Sequence, residues 1–167
     1  DALYAGLADV FVPAAELPAL QAIVIASSPG GLREAIARFA APFASQADPS
    51  NSRLAGVGEA IERHFSGNSI AELMASLSED ASDFAGKTLE MMRKRSPLMM
   101  CVTLSQLRRA ATMSMGDCLR MERTMVRRCF EHGEVIEGVR ALAIDKDHAP
   151  KWNPATLAEV TPMMVLA

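Results

Sequence analysis

The chain has 167 residues, half of them hydrophobic and 22% charged, with a formal net charge of −3. That length holds one domain with a real core, and the apolar content excludes a disordered tail. The negative balance gives no electrostatic case for a nucleic-acid partner, and Arg93-Lys94-Arg95, Arg108-Arg109 and Arg127-Arg128, interleaved with acids, read as solvated helix faces.

Asp1 to Gly6 read as a helical turn that Gly6 ends. "LADVFVP" then alternates into a short β segment closed by Pro13. "ELPALQAIVIAS" predicts a short helix stopped by Ser28-Pro29-Gly30-Gly31, and "GLREAIARFA" a second one with Leu32, Ile36 and Phe39 on one face. Ala47 to Gly58, rich in Ser, Asn, Asp and Gly, reads as a loop.

From Asn68 onward the pattern is helical. Ser69 and Glu72 have capping-box spacing ahead of Leu73, Met74 and Leu77. "DASDFAGKTLEMMRKR" places Phe84, Leu89 and Met92 on an apolar side, with a basic last turn that suits the helix dipole. Pro97 opens the next helix after Ser96, and Met100, Leu104, Leu107 and Ala111 recur on one face. Ser114 with Asp117 starts another helix, lined by Cys118, Met121, Met125 and Cys129. Gly133 is a stop, after which Val135, Val139 and Leu142 mark a last helix. The expected fold is mostly α, consecutive packed helices preceded by one short N-terminal strand. A lone strand cannot pair with itself, so it calls for neighbours outside these residues.

No apolar run approaches the ~18 residues of a membrane span and no signal peptide opens the chain, so no membrane partner is expected. Asp1 rather than Met stands first, which reads as a cut or processed chain. Cys101, Cys118 and Cys129 are odd in number and without CxxC spacing. On one helix, Cys118 and Cys129 would lie about 16 Å apart, beyond the reach of a disulfide. Reduced core thiols place the chain in the cytoplasm.

The sequence has no P-loop, HExxH or GxSxG motif. His64, His132 and His148 have no partner at metal-ligand spacing, and no metal or cofactor is expected. His132 reads as a cation favoured by a helix end. Ser27-Ser28-Pro29-Gly30-Gly31 is a weak anion-cradle pattern. Eight of the eleven methionines fall between Met91 and Met125, which reads as an adaptable helix–helix core or as a groove for an acyl chain or a neighbouring subunit.

At "GVRALAIDKDHAPKWNPATLAEVTPMMV", with "SPLMMCVTLSQLRRA", "CLRMERTMVRRC" and "HGEVIEGVRA" before it, the chain resembles the C-terminal end of the 3-hydroxyisobutyryl-CoA hydrolase branch of the enoyl-CoA hydratase/isomerase (crotonase) family. "DALYAGLADVFVP" is similar to the segment where crotonases leave their catalytic core. The resemblance implies that residues 1–30 are the end of that core and 31–167 a helical C-terminal region. It implies a parent that hydrolyses an acyl-CoA substrate, 3-hydroxyisobutyryl-CoA, in valine breakdown. Its oxyanion donors and catalytic carboxylates would lie upstream of Asp1, so that the chain alone is inactive. The implied partners are the acyl-CoA, the missing N-terminal core and further copies in a homo-oligomer. Lys146 is the residue expected to touch coenzyme A, against an ion pair with Asp145, Asp147 or the helix end. Two other readings compete: an enoyl-CoA hydratase or isomerase fragment, and a non-catalytic helical module with a Met-rich groove.

Overall fold

The computed structural model describes residues 1–166. The chain separates into two compact units, Asp1–Ile61 and Glu62–Ala167.

The first unit opens on a single helical turn. Ala5 N–H donates to the Asp1 carbonyl (2.9 Å) and Leu7 N–H to the Ala2 carbonyl (2.9 Å), while Gly6 takes the left-handed conformation (φ +69°). The expected strand at "LADVFVP" does not form, and no strand occurs among the described residues. The alternation is real, but an extended segment needs a paired edge to satisfy its backbone, and none is present. Helix α1, Leu17–Ala26, carries Pro18 in its first turn, and α2 is Leu32–Ala40, both as expected.

The expected loop at 47–58 is mostly not a loop. Two 3₁₀ segments, Ala41–Ala47 and Pro49–Asn51, lead into α3, Arg53–Phe65. The polar residues that read as loop are the caps: Asp48 accepts from Ser50 N–H, and Ser52 Oγ from Ala55 N–H at 2.9 Å. Gly58 lies inside α3, where a Cβ would stand 2.6 Å from the Tyr4 hydroxyl, so a side chain there would displace the tyrosine.

The second unit contains α4 (Ile70–Ser78), α5 (Asp83–Arg93), α6 (Pro97–Ala110), α7 (Met115–Glu131), α8 (Glu134–Val139) and α9 (Pro162–Leu166). Four serines, Ser69, Ser82, Ser96 and Ser114, stand at the N-caps of α4 to α7. Each accepts the N–H three residues on. Ile70, Leu73 and Leu77 form the buried face of α4, and Leu77, 1% exposed, packs with Ala85 and Leu89 of α5 against Met74 and Met92. Burying each such leucine contributes about 1.5–3 kcal/mol.

Gly133, at φ +90°, ends α7 as expected. The helix after it forms as expected. Val139 and Leu142 are exposed, and the inward face runs through half-buried Val135 and Gly138 to buried Ala141. The Trp152 ring lies 3.5 Å from where a Gly138 Cβ would be, an ordinary contact distance, so the ring packs over the glycine. The helix is not the last, since a 3₁₀ turn, Leu157–Glu159, and α9 follow it.

Candidate functional site

Helix α8 continues as a π turn, Arg140–Ile144, closed by Asp145 N–H on the Arg140 carbonyl at 2.8 Å. The wider turn brings the chain back over the helix end, where His148 N–H donates to the Ala141 carbonyl (3.0 Å). Arg140 sits at the centre of this return. Its Nε and Nη2 grip both oxygens of Glu137 (2.9 and 2.7 Å). Nη1 reaches Asp145 (2.5 Å) and Asp147 (2.8 Å), and Nη2 also reaches the Ala149 carbonyl (3.2 Å). The planar fork of a guanidinium suits such multiple acceptors, as a lysine ammonium does not.

The electrostatics follow from these contacts. Glu137 is held down to about 2, first by the Arg140 fork and then by Lys151 N–H, which donates to Oε1 at 2.6 Å. Asp147 is lowered by Ala149 N–H and then by Arg140. Arg140 is pushed above its ordinary value by Glu137, Asp147 and Asp145.

Lys146, the residue singled out in the sequence, is exposed and makes no ion pair among the described residues. Both aspartates beside it are occupied by Arg140. Lys146 and His148 both take left-handed backbone (φ +55° and +53°), a costly conformation for residues with a Cβ. Sequence reasoning missed Arg140. Its signal was charge spacing: Glu137 stands three residues before it and two aspartates five and seven after.

Trp152, the only tryptophan, donates from Nε1 to the Lys94 carbonyl at 3.3 Å. With His148, Leu142, Met91 and Arg95 it borders a cavity of about 530 Å³. The Met-rich faces of α6 and α7 border two more, of about 240 and 540 Å³. Met99, Cys129 and Glu134 line both. Glu134 is 6% exposed and its Oε2 has no hydrogen-bond partner. Burial pushes the Cys129 thiol up and the Glu134 charge adds to it, and burial alone raises Cys101, so neither cysteine is poised as a nucleophile. All three cysteines are free.

The histidines separate. His64 is 2% exposed and bridges Ser76 Oγ and Asp80 Oδ2, each at 2.8 Å. This Ser–His–Asp chain ties the end of α3 to α4. Ser76 lies within α4, whose backbone N–H groups are spent in the helix, so no oxyanion donors stand beside its hydroxyl. His132 is exposed at the C-cap of α7, and no group of three His, Cys, Asp or Glu suited to a metal occurs among the described residues. The Ser27 hydroxyl, at the C-cap of α1, donates to the Ile23 carbonyl (2.7 Å). No helix among the described residues is long and apolar enough to cross a membrane.

Comparison with known proteins bears on all of this. The family model described as enoyl-CoA hydratase/isomerase matches residues 1–167. The 3-hydroxyisobutyryl-CoA hydrolase, mitochondrial, of Gallus gallus is 40% identical over 165 residues, covering 96% of this chain and 42% of the relative. Its counterpart in Xenopus laevis is 35% identical over the same shares. Among solved structures, a carnitinyl-CoA dehydratase from Mycobacterium thermoresistibile matches with TM-score 0.81 and 34% identity, covering 100% of this chain and 46% of that one. An enoyl-CoA hydratase from Rhodobacter sphaeroides 2.4.1 matches with TM-score 0.76 and 29% identity, over 99% and 45%. The chain thus spans less than half the length of these relatives. Their names overturn the expected cytoplasmic location, since the hydrolases are mitochondrial. Unpaired thiols report a reducing environment, and that signal does not separate one reducing compartment from another.

Proposed function

Since the chain belongs to the enoyl-CoA hydratase/isomerase family, we propose that it is the helical part of an acyl-CoA thioester hydrolase. The reaction is hydrolysis of 3-hydroxyisobutyryl-CoA. Water adds to the thioester carbonyl, the C–S bond breaks, and 3-hydroxyisobutyrate and the free coenzyme A thiol leave, as a step of valine breakdown. The observation that carries this reading is 40% identity over 165 residues to a relative of that name. It is supported locally by the Arg140-centred knot, which ties Asp145, Asp147, Ala149 and Lys151 of the resembling stretch "DKDHAPKW" to Glu137 and Arg140 before it. The oxyanion donors and carboxylates for the chemistry belong to the core that precedes these residues in the full-length enzyme, which assembles as a homo-oligomer.

Lys146 is the coenzyme A contact in this reading. With Asp145 and Asp147 turned to Arg140, its ammonium is left to a phosphate of the nucleotide. Lys146→Ala in the full-length enzyme should weaken the coenzyme A substrate and spare a truncated pantetheine thioester, with a loss that shrinks at high salt. Equal losses on both substrates would make Lys146 structural.

The reaction is tested by following thiol release from 3-hydroxyisobutyryl-CoA. The full-length enzyme should release it and the 167-residue chain alone should not exceed the uncatalysed background, because removing oxyanion donors costs several kcal/mol of transition-state stabilisation. Release by the chain alone would refute the division of labour. Hydration of an unsaturated acyl-CoA by the full-length enzyme, without thiol release, would favour a hydratase.

A further inference from the structure

We infer that Arg140 is a positioning residue for coenzyme A binding, acting through Lys146. This rests on the reading of Lys146 as a phosphate contact. The starting observation is a conflict of charge: Lys146 lies between two aspartates, which by themselves would repel a phosphate and attract the lysine. Arg140 weakens both effects, because Nη1 holds Asp145 and Asp147 together (2.5 and 2.8 Å), occupying their oxygens and offsetting part of their charge. The lysine is left without an intramolecular partner among the described residues.

The second observation is backbone strain. Lys146 and His148 both have φ near +55° (55° and 53°), a conformation that persists only when its surroundings fix it. Those surroundings are the knot. Arg140 joins Glu137 before the turn to Asp145, Asp147 and the Ala149 carbonyl after it, and Glu137 in turn receives Lys151 N–H. One side chain therefore both engages the acids, offsetting part of their charge, and fixes the backbone that carries Lys146. A lysine at 140 would keep the charge and lose the fork, since one ammonium cannot span three carboxylates and a carbonyl in a fixed plane.

The experiment compares Arg140→Lys, Lys146→Ala and the double variant of the full-length enzyme on the coenzyme A thioester and the truncated pantetheine thioester. Hydrogen exchange at Ala149 and Lys151 N–H is followed in the same proteins. The expected result is a KM increase of up to about fivefold for Arg140→Lys on the coenzyme A substrate only, the scale of an exposed ion contact. kcat should hold, the increase should vanish in the Lys146→Ala background, and exchange should be faster at both amides. Additive losses in the double variant, or equal losses on both thioesters, would overturn the positioning role. If Lys146→Ala alone does not distinguish the two thioesters, the phosphate reading fails. The exchange data then judge Arg140 by themselves, and unchanged protection would show that it positions nothing.

Discussion

Glu137 is the residue through which acid should act on the tail. Folded, its carboxyl is held near 2, against about 4.3 for an unperturbed glutamate. A depressed folded value means that its contribution to stability is complete above about pH 4.3 and is lost as the pH falls toward 2. Denaturation followed by Trp152 fluorescence from pH 6 to pH 2 should show this loss, and Glu137→Gln should flatten it. The same acid limb in the variant would show that the sensitivity lies elsewhere, for instance at Asp147 or Asp80, both also lowered. His64 makes a different residue-scale case, being buried with both ring nitrogens engaged. The carboxylate must accept, so Nε2 carries a proton toward Asp80. His64→Ala should cost about 2–4 kcal/mol in urea denaturation, through the lost packing and both hydrogen bonds. A cost near zero would mean that Ser76 and Asp80 hold the α3–α4 corner without it. Neither partnership was legible in the sequence. His64 meets residues twelve and sixteen positions away, and Arg140 closes a turn whose π geometry no local pattern announces.

Elements were read well where their signals are local. Serine caps, Pro97 at a first turn and Gly133 at a stop act within four residues of themselves, so sequence spacing is enough to place them. "LADVFVP" failed because a strand is made by its neighbour, and 47–58 failed because capping residues and loop residues are the same amino acids. Val135, Val139 and Leu142 marked α8 by their spacing, but not the side it buries, because that side is set by a distant residue: Trp152 docks over Gly138, and Val139 and Leu142 stay exposed. This can be tested on the element. A Cβ at 138 would meet the ring at 3.5 Å, an ordinary contact, so Gly138→Ala should be tolerated and gain about 0.5–1 kcal/mol of helix propensity. Gly138→Leu has no such room and should expel the ring, shifting the emission of the only tryptophan to the red. An unshifted spectrum in the leucine variant would contradict the docking. In the α4–α5 core, Leu77→Ala should cost about 2–5 kcal/mol, the usual range for a leucine this buried.

At the scale of the molecule, the amount of apolar surface left uncovered sets the behaviour of the chain in solution. Along α7, Cys118, Met121, Met125 and Cys129 are half-buried, yet the neighbouring side of the same helix carries Met115, Leu119, Val126 and Phe130, all more than half exposed. Their spacing of four, seven and four residues puts them in one stripe. On α8 and its π turn, Ile136, Leu142 and Ile144 are exposed as well. Scattered apolar residues on a surface need no explanation, but four along one side of a helix, parted only by Glu122 and Arg123, do. The mean mass of the 167-residue chain by light scattering should therefore rise with concentration above the 17.9 kDa of one copy. Placing glutamate at both Leu119 and Val126 interrupts the stripe at its centre without touching the half-buried face, and it adds carboxylates beside Arg123 and Arg127. That double variant should return to the mass of one copy while keeping its helical signal. A chain that stays monomeric and monodisperse at every concentration, and unfolds cooperatively, would mean that the stripe is too narrow to drive association. A double variant that associates as strongly as the parent would move the contact away from α7.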